Sequence, residues 1–372
     1  MVDTSMFTKH STCGTLILLL YVDDIILTRD NGDALSTFIK CLSTEFAMTD
    51  LGELHYFLGV EATRTMAGLR LTQTKYSLDL LQKTSMTGCK PCRTPVASGS
   101  KLSAADGSTL VDPHEYRQVV GALQYLTLTR LDLSYSVNQA CQFMHAPTTA
   151  HYDAVKRILR YLKHILGAGI DIKPGPISII TTFTDADWAG CPDTRRSTTG
   201  FCIFLGSNLL SWGSKKQPTI SRSSSESEYK ALAVTVSEVL WLSYLLDDLH
   251  VPISLPLIIN RDNISTTYMA ANPVLHARTK HIEVDYHFVR ELVLTKKIKV
   301  QFVRSSDQVA DIFTKGLSSP LFKSHRSKLM WLPPISLQGD DNTYDTHATT
   351  HALHAITVNS CQDELIYHIY TM

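Results

Sequence analysis

The chain has 372 residues, a length that suits two or three domains. With 44% hydrophobic and 19% charged residues, it has the composition of an ordinary globular protein with substantial cores. The 35 basic and 35 acidic residues give a formal net charge of zero, so overall charge does not indicate nucleic-acid binding.

The first residues show no targeting or membrane signal. Residues 1–10 lack the basic-then-apolar layout of a signal peptide, and the apolar run 15–27 is interrupted by two Asp and is too short to span a membrane. Eight cysteines are scattered without a disulfide framework, which suits a reducing compartment. We therefore expect an intracellular protein of the cytoplasm or nucleus that is not secreted and has no membrane partner.

Two apolar runs, residues 16–20 and 25–27, flank the letters Y-V-D-D and predict a strand, a tight turn and a strand. Adjacent Asp residues usually mark a solvated turn, but flanks this apolar predict that both strands are largely buried. Two half-buried carboxylates are costly unless a cation compensates them, and hard oxygen ligands suit Mg²⁺. Y-V-D-D in this setting closely resembles the catalytic hairpin of reverse transcriptases, which implies that Asp23 and Asp24 are catalytic metal ligands.

The hairpin begins about twenty residues into the chain, so we expect the front part of a polymerase to be absent. That part would carry the third metal carboxylate and the residues that hold the incoming nucleotide. We therefore expect no polymerase activity from this chain alone.

The next segments are predicted from apolar periodicity and composition. They are a helix over 33–46, strands over 54–62 and 68–73, a helix over 75–84, a linker over 88–112 rich in Gly, Pro, Ser, Thr and Ala, and a mostly helical region over 113–168. The helix over 151–166 has one apolar face, and its other faces carry Lys156, Arg157, Arg160 and Lys163. Those cations are either a solvated helix face or a phosphate-contacting surface.

A second boundary lies at Pro174-Gly175-Pro176, beyond which strands come first. The predicted order is strands 177–185, 199–206 and 209–212, a helix over about 224–249, strand 255–260, a helix, a helix over 281–294, strand 298–304 and a helix from about Asp307. This alternation indicates an α/β layer architecture. Residues 333–372 lose the regularity and are predicted to be a poorly ordered tail.

Four acidic residues of this α/β segment lie where strands end or helices begin: Asp185, Glu228, Asp262 and Asp311. Acidic residues often cap helices and strand ends, so position alone leaves a purely structural role open. Around one sheet, however, such carboxylates can converge, and like charges a few ångströms apart cannot all stay ionised without cations. Two Mg²⁺ ions about 3.5–4 Å apart would compensate them and stabilise the attacking and leaving oxygens of a phosphodiester.

The short sequence motifs around these four carboxylates make the pattern specific. They are T-D-A-D-W-A-G-C, R-R-S-T-T-G-F, S-W-G-S-K-K-Q, S-S-S-E-S-E-Y-K-A-L, H-A-R-T-K-H-I-E-V-D-Y-H-F-V-R-E and Q-V-A-D-I-F-T-K. In this order they are strongly similar to the ribonuclease H of copia-type retrotransposon Pol polyproteins. Words upstream, such as L-G-E-L-H-Y-F-L-G-V-E and Y-R-Q-V-V-G-A-L-Q-Y-L, resemble the same polyprotein between polymerase palm and ribonuclease H. The resemblance covers residues from about 10 to 330.

The resemblance implies a fold and a domain order. The fold is α/β, a ribonuclease H-like mixed five-stranded sheet with flanking helices, preceded by a partial α+β reverse-transcriptase palm and a helical thumb or connection region. The implied domains are a partial palm (1–87), a linker (88–112), the thumb or connection region (113–173), the ribonuclease H-like domain (174–332) and an unmatched tail (333–372).

The resemblance also implies residue roles. The four carboxylates named above would be catalytic metal ligands, with Glu228 preferred over Glu226 and Asp185 preferred over its runner-up Asp187. A mobile histidine shortly before the last Asp, which cellular ribonucleases H often carry, has no candidate between His287 and Asp311. The cations implied to contact nucleic-acid phosphates are Lys215, Lys216, Arg222, Arg195 and Arg196, although a solvated loop explains the two from the R-R-S-T-T-G-F word equally well.

The function implied is hydrolysis of the RNA strand of RNA–DNA hybrids, with two Mg²⁺ (or Mn²⁺) ions as cofactors and other parts of the polyprotein as further partners. The alternative is a catalytically silent, nucleic-acid-binding or decayed retroelement fragment. An integrase-type transferase shares the sheet, but its order Asp, Asp, Glu differs from the order Asp, Glu, Asp, Asp found here.

Overall fold

The computed structural model describes residues 5–11, 14–29, 32–265, 267, 283–333 and 352–358. Its strands are β1 (Met6–Ser11), β2 (Gly14–Tyr21), β3 (Asp24–Arg29), β4 (Met48–Glu53), β5 (Tyr56–Phe57), β6 (Val60–Thr65), β7 (Gly68–Thr72), β8 (Ile170–Ile172), β9 (Ile180–Asp187), β10 (Thr198–Leu205), β11 (Asn208–Lys216), β12 (Leu257–Arg261), β13 (Ile298–Phe302) and β14 (Ala352–Val358). Its α-helices are α1 (Gly32–Glu45), α2 (Thr74–Lys83), α3 (His114–Leu126), α4 (Ser134–Cys141), α5 (Thr149–His164), α6 (Ser224–Asp248), α7 (Glu283–Leu294) and α8 (Ser319–Leu329).

The N-terminal sheet contains the predicted hairpin. Its strand order is β1-β2-β3-β14-β4, and β2 pairs antiparallel with β3 up to Tyr21 opposite Asp24. The alternate residues of β2 and β3 that face α1 are buried, because they pack against the apolar face of that helix. The strand–turn–strand prediction is therefore confirmed.

A strand from the far end of the chain completes this sheet. Strand β14 pairs antiparallel with β3 on one side and with β4 on the other, and Ile356 is buried in the same apolar cluster as Ile25 and Leu27. The sequence predicts a poorly ordered tail over 333–372, and for residues 352–358 that prediction differs from the structure. Its weak periodicity gave no strand signal, because a strand placed between two neighbours is stabilised by their hydrogen bonds more than by its own composition.

A four-stranded antiparallel sheet, β5-β6-β7-β8, follows in the chain. Its last strand comes after α5, so the sheet joins the early strands to the helical region. Arg70 on β7 and Asp171 on β8 form a part-buried ion pair at 2.8 Å, and the Arg70 guanidinium lies over the ring of Trp331. This sheet therefore connects segments that are distant in the chain.

The largest α/β unit is built on the sheet β11-β10-β9-β12-β13. The first three strands are antiparallel neighbours, whereas β12 runs parallel to both β9 and β13. The predicted three strands, helix, strand, helix and strand are all present, and the helix predicted between Asn260 and His281 falls mostly outside the described residues. The helix predicted from about Asp307 is instead two short 3₁₀ segments, 305–307 and 309–313, followed by α8.

Both faces of this sheet are covered. Successive side chains of β10 point to opposite faces of the sheet. Phe201 and Ile203 pack with α6 and α7 on one face. Cys202 and Phe204 pack with α3, α4, α5 and α8 on the other. The apolar cluster on the face that carries Cys202 and Phe204 contains residues from both sides of the predicted boundary at 173/174, because α3, α4 and α5 pack on this sheet. The domain limits themselves stay predictions.

The predicted linker lies against α5. Arg157 donates to the Thr94 hydroxyl at 2.9 Å, Arg160 to the Lys90 carbonyl at 2.8 Å and Lys163 to the carbonyl of Cys89 at 2.8 Å. These three cations of α5 therefore hold the linker in place. This role differs from both predictions for that helix face, a solvated surface and a phosphate-contacting surface.

Helix α6 meets the length and composition criteria of a membrane-spanning helix, with a mean hydropathy of 1.2 over its most apolar stretch. Half of that stretch is buried inside the protein, where α6 packs on the sheet. A core helix meets the same criteria, so the observation is weak evidence for a membrane.

Candidate active site

Three of the predicted carboxylates meet at the centre of the α/β sheet. Asp185 lies in β9, Glu228 in the first turns of α6 and Asp262 directly after β12. Because β9 and β12 are parallel neighbours and α6 packs across β9, one oxygen from each carboxylate lies within 4.8 Å of the others. Asp185 and Glu228 are buried, whereas Asp262 is partly exposed and gives the group an open side.

The fourth predicted carboxylate, Asp311, joins this group through a lysine. The Lys315 ammonium lies 2.9 Å from Asp311 Oδ1 and 3.3 Å from Asp185 Oδ2, so it bridges two buried carboxylates. Asp311 belongs to the 3₁₀ segment after β13, and Gln308 ties that segment to β9 by donating to the Thr184 carbonyl at 2.9 Å.

A second cation lies deeper in the site. Arg261, the last residue of β12, is fully buried, and its Nη2 lies 2.6 Å from Glu228 Oε2. The other two guanidinium nitrogens of Arg261, Nε and Nη1, have no hydrogen-bond partner among the described residues. The site therefore holds buried positive and negative charges, and some of the buried hydrogen-bond donors of Arg261 are not paired with any described residue.

Crowding and burial make the carboxyls hard to ionise. Burial and the neighbouring Asp185 carboxylate raise the pKa of Glu228 to about 8, although Arg261 opposes both effects. Burial and Asp185 likewise raise the pKa of Asp311 to about 7, against the opposing effect of Lys315. The site as it stands therefore favours additional positive charge.

Neighbouring side chains hold the carboxylates in place. The Thr314 hydroxyl donates to Asp185, and Ser305 donates to Asp262 Oδ2 at 2.8 Å. Gly200, opposite Asp185 in β10, allows the 3₁₀ segment to approach, since a Cβ there would lie 2.6 Å from the Thr314 methyl carbon.

The two alternative carboxylates, Asp187 and Glu226, lie outside the three-carboxylate group. Asp187 faces Lys101 at 3.7 Å, and Glu226 accepts from the Arg222 backbone and pairs with Lys230 at 2.9 Å. The preference for Asp185 and Glu228 over them as metal ligands stays a prediction.

The Y-V-D-D turn presents its carboxylates at the surface of the N-terminal sheet. Asp23 is exposed and Asp24 is partly buried, and Val22 has a φ of 51°, a left-handed conformation that is strained for a β-branched residue. Within the described part of the chain, no third acidic, His or Cys side chain joins Asp23 and Asp24 in a metal-sized group.

The cations predicted to contact nucleic acid lie around the end of β9 that follows Asp185, and Arg222 follows Ser221, whose carbonyl accepts from Trp188 Nε1 at 3.0 Å. Thr198 pairs with both Asp187 and Lys216, so the loop between β9 and β10 and the end of β11 share this end of the sheet. Lys216 lies 3.0 Å from the Cys191 sulfur and is partly buried. The exposed members of the set are Lys215, Arg222, Arg195 and Arg196.

Sequence reasoning missed two residues of the site, Arg261 and Lys315. Both have a signal in the sequence, since Arg261 directly precedes Asp262 and Lys315 follows Asp311 by four residues. Spacing of four residues places side chains on the same side of a helical turn, so a lysine partner for Asp311 could have been predicted.

The donor set fits a divalent cation. Carboxylate oxygens are the hard ligands that Mg²⁺ and Mn²⁺ prefer, and a divalent ion would offset the crowding of negative charge that, with burial, raises the pKa of Glu228. Asp185, Glu228 and Asp262 would hold one ion, and Asp311 could extend the set only if Lys315 moved.

Comparisons with known proteins cover both halves of the chain. A family model described as reverse transcriptase (RNA-dependent DNA polymerase) matches residues 1–98. The chain is 46% identical over 327 residues to the Retrovirus-related Pol polyprotein from transposon RE1 of Arabidopsis thaliana, covering 88% of this chain and 22% of the polyprotein. It is 35% identical over 318 residues to that from transposon TNT 1-94 of Nicotiana tabacum, covering 83% and 24%. The chain thus spans about a fifth to a quarter of these relatives' length.

A shorter relative and a solved structure also match. An uncharacterized mitochondrial protein of Arabidopsis thaliana is 51% identical over 229 residues, which are 61% of this chain and 95% of that protein. Among solved structures, LC11 ribonuclease H1, isolated from compost, is 15% identical, with a TM-score of 0.30 and coverage of 37% of this chain and 93% of that one. The strand order and directions of the α/β unit make its fold ribonuclease H-like. The chain belongs to the family of copia-type retrotransposon Pol polyproteins.

Proposed function

We propose that the α/β unit hydrolyses the RNA strand of RNA–DNA hybrids with Mg²⁺ or Mn²⁺. The observation that carries the proposal is the convergence of Asp185, Glu228 and Asp262 within 4.8 Å on neighbouring elements of a ribonuclease H-like sheet. Membership of a family whose relatives are named Pol polyproteins supports a nuclease or polymerase.

The chain's own residues would hold and tune the site. Asp185 and Glu228 sit on β9 and α6, two packed elements that fix their positions, and Ser305 orients Asp262. Arg261 limits the motion of Glu228 because it is itself buried. When bound, a divalent ion stabilises negative charge on the attacking and leaving oxygens of a phosphodiester.

The substrate would be recognised by its backbone. The exposed cations around the end of β9 can contact phosphates without reading bases, and hybrids are distinguished by shape and 2′-hydroxyls. Because each phosphate contact releases counterions, replacing Lys215 by Met should reduce the salt dependence of hybrid binding by about one ion, with binding measured at several KCl concentrations.

Polymerase activity is not proposed for this chain alone. Asp23 and Asp24 have no third carboxylate near them within the described residues, and nucleotide addition also needs residues that bind the incoming nucleotide. Extension of a DNA primer on an RNA template by the purified chain would overturn this view.

The test is cleavage of an end-labelled RNA–DNA hybrid in Mg²⁺ and in Mn²⁺. Native chain is compared with Asp262→Asn and with the control Asp307→Asn, which removes an exposed carboxylate from a nearby turn. We expect cleavage by the native and control proteins and loss of at least about a hundredfold with Asp262→Asn. If folded native protein leaves the hybrid intact with both metals, the chain is a catalytically silent member of the family.

A further inference from the structure

Two cationic side chains, Arg261 and Lys315, pair with different members of the carboxylate group. Arg261 pairs with Glu228 at 2.6 Å, and Lys315 bridges Asp185 and Asp311 at 3.3 and 2.9 Å. Asp262, by contrast, accepts a hydrogen bond from the Ser305 hydroxyl.

The charges of the group decide how many ions it attracts. The four carboxylates carry at most four negative charges, and Arg261 with Lys315 offsets two of them. One divalent ion would therefore bring the group to neutrality. A second would have to enter a site without excess negative charge, at a Coulombic cost that is large in a partly buried environment.

The two cations differ in freedom of movement. The Arg261 side chain has no exposed surface, so it cannot leave Glu228 without opening the core. The Lys315 side chain is 40% exposed, and its flexible stem can carry the ammonium out to solvent. Lys315 is therefore the cation that can be displaced.

Lys315 would compete with a second ion for Asp185 and Asp311. Its ammonium contacts both carboxylates, so another cation held by the same two side chains would be repelled by it. Asp185 is common to this pair and to the three-carboxylate group, which makes the two positions adjacent.

We propose that Lys315 is a displaceable cation that takes the place of the second divalent ion, so that the free chain binds one ion and gains the other only when Lys315 swings out. This positioning role rests on the proposed metal site but not on hybrid cleavage. Lys315 swings out when a divalent ion at high concentration competes for Asp185 and Asp311, or when a phosphate of the nucleic-acid backbone attracts its ammonium.

The test counts Mn²⁺ ions bound without nucleic acid by calorimetric titration. Native chain is compared with Lys315→Met and with the control Lys323→Met, which changes an exposed lysine of α8. We expect Lys315→Met to bind one ion more than native and control proteins, or to bind its last ion at least about tenfold more tightly. Equal stoichiometry and affinity in all three proteins, including no binding by any, overturns the inference.

A second measurement uses the native chain and so does not depend on the folding of a variant. The rate at which an N-hydroxysuccinimide ester labels Lys315 is followed by peptide mass spectrometry as Mg²⁺ is raised to saturation, with Lys323 as internal reference. Displacement predicts faster labelling of Lys315 at the higher Mg²⁺ concentrations, and an unchanged ratio overturns it. Gain of an ion without any hybrid cleavage would leave this inference standing and refute the proposed function.

Discussion

A buried ion pair connects the helical region to the α/β unit. Arg130 contacts Asp132 through two nitrogens at 3.0 and 2.9 Å, and the two side chains are 2% and 0% exposed. Tyr161 on α5 donates to Asp132, and Arg326 on α8 donates to the Tyr161 hydroxyl at 3.0 Å. Since α8 follows the segment that carries Asp311, this network joins the helices to the side of the sheet where the carboxylates lie.

Replacing Arg130 by Met should lower the free energy of unfolding by about 3–5 kcal/mol, because the Asp132 carboxylate would remain buried without a counter-charge. The double change Arg130→Met with Asp132→Asn removes that charge and keeps an acceptor for the Tyr161 hydroxyl. We expect the double variant to be more stable than the single variant by about 2 kcal/mol or more.

Urea unfolding followed by far-ultraviolet circular dichroism measures both values. A single variant that loses less than about 1 kcal/mol, or a double variant no more stable than the single, would refute the reasoning that an uncompensated buried charge dominates. Loss of signal from the whole chain in one transition would show that the helices and the α/β unit unfold together.

Three further predictions follow from local contacts. Gly200→Ala should cost about 1–3 kcal/mol in urea unfolding, because its Cβ would lie 2.6 Å from the Thr314 methyl carbon, and a neutral effect would contradict this close approach. Burial raises the pKa of Cys191, but hydrogen bonds, among them the one from Lys216, lower it to about 7. The rate of alkylation by iodoacetamide should therefore rise as the pH passes through 7. Lys216→Met should shift this rise to higher pH, and an unshifted rate profile would contradict the role of Lys216. Ile356→Ala should destabilise the N-terminal sheet by about 2–5 kcal/mol, seen as faster amide exchange in β3, whereas unchanged exchange would show that β14 does not stabilise it.

Local sequence signals predicted most of the α/β unit, whereas the roles of its carboxylates were implied by the resemblance to a known family. The positions of Asp185, Glu228 and Asp262 at strand ends or a helix start allowed convergence, since parallel neighbours and a packed helix bring such positions together, but position alone left a structural role open. The Y-V-D-D hairpin was predicted for the same reason, because its flanking strands are apolar and its turn is short.

The remaining features depend on contacts between distant segments. The pairing of Lys315 with Asp185 joins residues 130 positions apart, and two of the three bonds from α5 to the linker go to backbone carbonyls, which have no sequence signature. Strand β14 was missed because its neighbours, and not its own composition, define it. These are the interactions that local periodicity does not encode.

Strand β14 also affects the order in which the chain can fold as it is synthesised. Its partners on β3 are made more than 300 residues earlier, so the gap between β3 and β4 stays open while nearly all of the chain is translated. At about 5–20 residues per second, the nascent hairpin waits roughly 15–65 s with an unpaired apolar strand edge. During that interval the ribosome-bound chain offers the kind of surface that chaperones bind and that promotes aggregation, whereas the α/β unit has all of its sheet strands as soon as β13 has been made.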